Sequence, residues 1–164
     1  MSKSILTQSR LRELFDYNSE TGVFTRKISK GSRAWTGKTS GNVSTSGHVQ
    51  LFIDGKLRAA HRMAWLYVHG VLPTHCIDHI NGSRADNRIV NLRDVTFAEN
   101  CQNKRASRSD STTGLIGVSP HGSSWRARIQ IGSTRKNLGT FATAHLAYAA
   151  YLTAKRQLHT TCTI

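Results

Sequence analysis

Residues 77–100 read IDHINGSRADNRIVNLRDVTFAEN. Cys76-Ile77-Asp78 predicts a short strand, INGSRADNR a polar loop, and Leu92-Arg93-Asp94-Val95 a second short strand. Thr96 then opens a helix. Glu99 lies three residues on and can return a hydrogen bond to the cap's amide, which is the capping-box pattern. Strand, loop, strand and helix make one ββα unit over residues 75–103.

The same stretch carries the chemistry. It places Asp78 and His79 at the end of the first strand, Asn91 at the start of the second, and Asn100 in the first turns of the helix. A hairpin folded onto a helix is expected to bring a carboxylate, an imidazole and an amide oxygen together. Phosphodiester hydrolysis needs a base for water and a cation to neutralise charge on the phosphate and the leaving oxygen. Taken singly, Asp78-His79 suits a turn and Asn81-Gly82 is ordinary turn chemistry. The joint spacing favours the catalytic reading. Asn87 reads as loop structure, Asn103 as a residue near the site that is not a metal ligand, and His61 as a helix-start or packing histidine.

Asn91 follows His79 by twelve residues and Asn100 follows Asn91 by nine. With that spacing the segment resembles the HNH endonucleases, in particular the phage and intron-associated branch of the ββα-metal nucleases. The resemblance implies His79 as general base and Asp78 and Asn100 as ligands of one divalent cation. It implies that Asn91 braces the loop and orients the imidazole. The upstream run AHRMAW (60–65) is also similar to that branch, and the likeness covers roughly residues 5–103. An oxygen donor set of this kind suits a hard ion such as Mg²⁺ or Mn²⁺.

Charge points the same way. Lys and Arg total 23 against 9 Asp and Glu in 164 residues, a formal net charge of +14. A surface so cationic gains free energy by releasing counterions from a polyanion, so double-stranded DNA is the expected partner. No apolar run approaches the roughly 18 residues of a membrane span, and no leader pattern is read at the start. The expected setting is the cytoplasm, without a membrane partner. Cys76, Cys101 and Cys162 are widely spaced and form no CxxC pair, so they read as reduced thiols rather than zinc ligands.

Around the motif, Thr7 predicts a helix over Gln8–Asp16 with Leu11, Leu14 and Phe15 as its apolar stripe. Gly22-Val23-Phe24-Thr25 begins a strand. Residues 29–47 read as a basic, mobile loop. HVQLFI, Asp54-Gly55 and KLRAA predict a hairpin on a type I′ turn. A helix follows from His61 to His69, ended by Gly70.

Beyond residue 103 the acids nearly vanish. Nine basic residues stand against Asp110 alone (Lys104, Arg105, Arg108, Arg126, Arg128, Arg135, Lys136, Lys155 and Arg156). Three strands are predicted, at 116–120, 125–131 and 136–141, and then a helix capped by Thr143. Gly117-Val118, Trp125 with Ala127 and Ile129, LGTF (138–141) and Ala147-Tyr148 resemble the Apetala-type (ethylene-response-factor) DNA-binding domain. Its usual acidic run at the helix start is replaced here by Ala144-His145-Leu146. The resemblance implies a three-stranded sheet laid in the major groove. If Ala127, Ile129 and Ile131 face the helix, alternation turns Arg126, Arg128 and Gln130 toward DNA, with Arg135 and Lys136 beside them.

The sequence therefore predicts an α+β chain. A nuclease domain spans 1–103, a basic linker 104–113, and a small sheet-plus-helix DNA-binding domain 114–160. The predicted function is that of a metal-dependent, homing-type HNH endonuclease acting as a monomer or weak dimer. The alternative is a non-catalytic, sequence-specific DNA-binding protein derived from such a nuclease.

Overall fold

A computed structural model describes residues 6–29, 36–103, 107, 111–159 and 162. The basic residues Lys30 and Arg33, Trp35, and most of the predicted linker lie outside the described residues. The chain is mixed α and β and divides into two compact units, one ending at Val95 and the other beginning at Thr96. The helix after Thr96, which the sequence reading joins to the nuclease domain, thus counts with the second unit.

The first unit begins with α1 (Gln8–Leu14), capped by the Thr7 side chain on the Arg10 amide. Helix gives way to strand at Phe15. β1 (Phe15–Asn18) pairs antiparallel with β2 (Val23–Arg26), which pairs with β3 (Thr39–Ser40). The predicted helical stripe therefore ends one residue early. Phe15 is wholly buried and packs edge-on against Phe24 of the neighbouring strand. Its apolar character served the sheet, and i, i+3, i+4 spacing alone could not tell the two uses apart.

β4 (Asn42–Val43), β5 (Val49–Ile53) and β6 (Lys56–Ala59) form a second sheet. Asp54 and Gly55 join β5 to β6 with φ of 45° and 79°, the left-handed pair that a type I′ turn requires. α2 (Ala60–His69) follows at once and ends on Gly70 in the left-handed conformation. Its buried residues Ala60, Met63, Ala64 and Leu66 complete a core with Leu11, Leu14, Phe15, Phe24, Leu51 and Leu92.

β7 (Cys76–His79) and β8 (Leu92–Val95) make a two-stranded sheet whose register sets Asp78 opposite Arg93 and His79 opposite Leu92. The start of the hairpin is tied down on both sides. The Asp94 carboxylate accepts from the amides of Thr74 and His75, and the Arg62 guanidinium of α2 donates to the carbonyls of Pro73 and His75.

In the second unit α3 (Phe97–Gln102) carries the capping box in full, with Thr96 and Glu99 bonded reciprocally. β9 (Val118–His121), β10 (Ser124–Ile131) and β11 (Thr134–Phe141) form an antiparallel sheet with β10 in the middle. α4 (Ala144–Leu158) packs on it, burying Ala147, Tyr151 and Ala154 against Ala127 and Ile129. Gly117 enters this core with φ of 75°, and a Cβ there would stand 2.2 Å from the Tyr151 ring. Only glycine fits that position. No disulfide joins Cys76, Cys101 and Cys162.

Candidate active site and its histidine cluster

The loop between β7 and β8 is held from within. Asn91 accepts from the Asn81 amide at 2.9 Å and donates to the Asp86 carbonyl at 2.9 Å, so one side chain spans the loop. Asn81 in turn donates to the Asp86 carboxylate, which also takes Arg88 in an ion pair of 2.6 Å. That pairing holds the Asp86 carboxyl down to about 2. The result is a stiff loop that returns the chain to β8 through a short 3₁₀ turn, Ile89–Asn91.

His79 lies at the end of β7 and is buried, with 6% of its surface exposed. Its Nε2 lies 3.4 Å from Oδ1 of Asn87, itself 2% exposed. Asn87 Nδ2 donates to the Ala85 carbonyl, which fixes the amide's orientation and leaves Oδ1 as an acceptor. Nε2 of His79 must then carry the proton, and Nδ1 is the basic nitrogen. Tyr17 secures the arrangement by donating its hydroxyl to the Asn87 carbonyl at 2.7 Å. Gly22 supports it from below. With φ of 72°, its missing Cβ leaves room for the Asn87–Arg88 backbone, which would otherwise lie 2.5 Å away. Burial draws the His79 imidazole below its ordinary range, against the opposing pull of the Asn87 hydrogen bond and the Asp78 and Asp86 carboxylates. A neutral imidazole of this kind is ready to accept a proton.

The motif resemblance assigns both tasks, bracing the loop and orienting the imidazole, to Asn91. In the structure Asn91's amide is spent on the loop backbone, and the contact with the imidazole ring comes from Asn87. No local signal separates the two asparagines, because each sits in a polar loop and only the loop's folded path decides which one reaches the ring.

Asp78, one residue before His79, is bound by Arg93 through its Oδ2 at 2.9 and 2.7 Å. Asn100 stands on α3, in the second unit. Asp78, His79 and Asn91 thus stand on or beside the β7–β8 hairpin, each with different partners, while Asn100 belongs to the second unit.

Two further histidines meet His79, and sequence spacing gave no hint of them. His48, just before β5, and His61, in the first turn of α2, have ring centroids 5.8 and 5.2 Å from that of His79 and 5.2 Å from each other. One ring nitrogen of each lies within 4.8 Å of one on the other two. His48 is steered by Ser46, whose Oγ lies 3.1 Å from Nδ1, and Ser46 is held by Arg84 through its carbonyl. Burial, then the His79 and His48 rings and Arg62, hold His61 down to about 3. His48 is lowered by burial, Arg84 and His79. Three imidazoles this close cannot share positive charge at low cost, so the cluster is neutral at neutral pH.

This is the region that the family comparison singles out. Residues 58–102 match the HNH endonuclease family. The HNH segment begins inside β6, contains α2, the β7–β8 hairpin and α3, and so includes His61, Asp78, His79, Asn91 and Asn100 but not His48. It crosses the boundary between the two units at Val95. No curated protein and no solved structure matches the chain. HNH nucleases bind DNA and generally depend on a divalent metal. The oxygen donors of Asp78 and Asn100 fit a hard divalent ion by type. Among the described residues, no helix is long and apolar enough to cross a membrane.

The second unit offers a separate charged face. Along β10, Ala127 and Ile129 are buried under α4, and Arg126, Arg128 and Gln130 alternate to the other side. Arg128 donates to Ser119 Oγ at 3.2 Å and Arg126 lies against the His121 ring. Arg135 is the register partner of Gln130 and shares that face. Lys136 is opposite Ile129, so the register sets it on the helix side, whereas the sequence expectation sets it beside Arg126 and Arg128. The bulge after Ala127 absorbs one residue of β11 and sets this phase.

Proposed function

We propose that this chain is a divalent-metal-dependent DNA endonuclease of the phage homing type, with His79 as the general base. The observation that carries the reading is a buried, neutral imidazole whose basic nitrogen is set by Asn87, lying inside the stretch that matches the HNH family. The net charge of +14 supports a polyanionic substrate.

In the reaction, His79 Nδ1 takes a proton from the attacking water, and Asn87 accepts from Nε2–H so that Nδ1 stays the basic nitrogen. Asn91 keeps the loop closed behind the ring. Asp78 and Asn100 are the cation's proposed ligands, Asn100 on the strength of the motif alone. The bound ion, Mg²⁺ or Mn²⁺, supplies Lewis-acid stabilisation of charge on the phosphate and the departing oxygen. Arg93 orients the Asp78 carboxylate through its two hydrogen bonds to Oδ2. Arg126, Arg128, Gln130 and Arg135 are proposed to place the second unit's sheet on DNA, in the manner of an Apetala-type domain, as an address separate from the chemistry.

One observation favours a second reading, a DNA-binding protein without catalysis: Oδ2 of Asp78 is already occupied by Arg93. Plasmid cleavage separates the two. Wild-type protein is expected to relax or linearise supercoiled plasmid in Mg²⁺ or Mn²⁺. His79→Ala is expected to bind the same DNA and cut it about a hundredfold more slowly or worse. Intact plasmid with wild type in both metals would leave the second reading standing.

A further inference from the structure

His48, His61 and His79 come from three separate parts of the chain and converge with one ring nitrogen of each within 4.8 Å of one on the other two. An aliphatic or hydrogen-bonded core would serve packing better than three crowded imidazoles. Two of the three have one nitrogen engaged by a neighbour, His48 Nδ1 by Ser46 and His79 Nε2 by Asn87. Each keeps its other nitrogen for a ligand, and that is how metal-binding histidines are usually held. His61 Nδ1 is buried and, among the described residues, has no hydrogen-bond partner. A buried polar atom left so costs free energy that a bound ion would recover.

We propose that these three imidazoles form a second metal site, selective for a borderline transition ion such as Zn²⁺, and that an ion bound there blocks the nuclease by taking the lone pair of its base. The donor set is all nitrogen, which suits Zn²⁺ and not the Mg²⁺ expected at Asp78. Three histidines with one open position is a known zinc arrangement. Zinc–nitrogen bonds of about 2.0–2.1 Å set tetrahedral ligands roughly 3.4 Å apart. Closing the cluster from 4.8 Å asks for movements of about one ångström, within the reach of side-chain rotation. The inhibitory half of the proposal rests on the endonuclease reading; the binding half does not.

The test uses full-length, tag-free protein stripped of metal. Co²⁺ is titrated as a visible probe of tetrahedral nitrogen ligation and then displaced with Zn²⁺. One equivalent is expected to give d–d bands that Zn²⁺ removes and a large excess of Mg²⁺ leaves alone. His48→Ala, outside α2 and the hairpin, is expected to weaken Co²⁺ binding about a hundredfold, while Asn100→Ala leaves it unchanged. Absent bands with wild type overturn the site. So do bands lost in Asn100→Ala and kept in His48→Ala, because the ion is then the nuclease cation. Micromolar Zn²⁺ is expected to stop Mg²⁺-supported plasmid cleavage by wild type. His48→Ala is expected to resist that inhibition, and equal inhibition of both overturns the regulatory half. A protein that binds Co²⁺ in this pattern yet never cuts DNA sinks the endonuclease reading and leaves the site intact.

Discussion

Arg93 donates twice to one oxygen of Asp78, from Nε at 2.9 Å and from Nη2 at 2.7 Å. The two are register partners on β7 and β8, so the hairpin itself delivers the guanidinium to the carboxylate. Both side chains are largely covered, at 24% and 15% exposure. Charge-assisted bonds in such a setting contribute about 1.5–3 kcal/mol, and removing one partner leaves the other poorly solvated. Arg93→Ala is expected to lower unfolding free energy by about 2 kcal/mol. In a double-mutant cycle with Asp78→Asn, most of that loss should appear as coupling. Additive effects in denaturant titrations would mean that the pair contributes little to the hairpin.

Asn87 sets the proton on His79, so changing its charge should move the base's titration. Cleavage requires neutral His79, and burial places the acid limb of the rate profile below the ordinary histidine value of about 6.5. Asn87→Asp puts a carboxylate against Nε2 and stabilises the imidazolium. The acid limb of kcat/KM is expected to move to higher pH, while the KM for DNA stays within a few-fold. Asn87→Ala should slow cleavage without that displacement. An unmoved limb in Asn87→Asp would remove Asn87 from its orienting role.

Acid should unfold the metal-free first unit by way of the histidine cluster. Burial, reinforced by His79 and His48, lowers His61 to about 3 in the folded state. The unfolded chain takes up its proton near 6.5, so below that pH it binds more protons than the native state and stability falls as pH drops toward 3. Above about 6.5 the group contributes no slope. The melting temperature in chelator is expected to fall between about pH 7 and 4.5, before the carboxylates matter, and to fall less in His61→Gln. A flat wild-type profile over that window would be incompatible with a buried neutral cluster.

Arg128 stands mid-strand on the face of β10 turned away from α4, half-buried, with its guanidinium donating to Ser119 Oγ. Its removal tests whether the sheet is the DNA address. If Arg128 touches a phosphate, Arg128→Ala lowers the slope of log affinity against log salt by about 1 and weakens all sequences alike. If it reads a base, the slope holds and discrimination at one position is lost. Anisotropy titrations at several salt concentrations with preferred and scrambled duplexes distinguish these. No change in either quantity would take the face out of recognition.

Much of the fold is local and could be read along the chain. The Asp54-Gly55 turn and the Thr96–Glu99 capping box are decided by residues two or three apart, whose backbone geometry and hydrogen bonds need no distant partner. The Asp78-His79 pair and its spacing to Asn91 and Asn100 were visible for the same reason, as a motif written in one hairpin and the helix after it. Packing against distant elements decided the rest. Phe15 became strand because Phe24 and the β2 backbone offered a better partner than another helical turn. Asn87 reached the imidazole because Asn91 was consumed by the loop backbone. His48, His61 and His79 share no sequence period; they meet only because the β5–β6 hairpin, α2 and β7 enclose one small volume. Local chemistry along the chain specifies turns, caps and a catalytic motif, whereas neutralising and crowding three imidazoles requires the desolvation that only long-range packing provides.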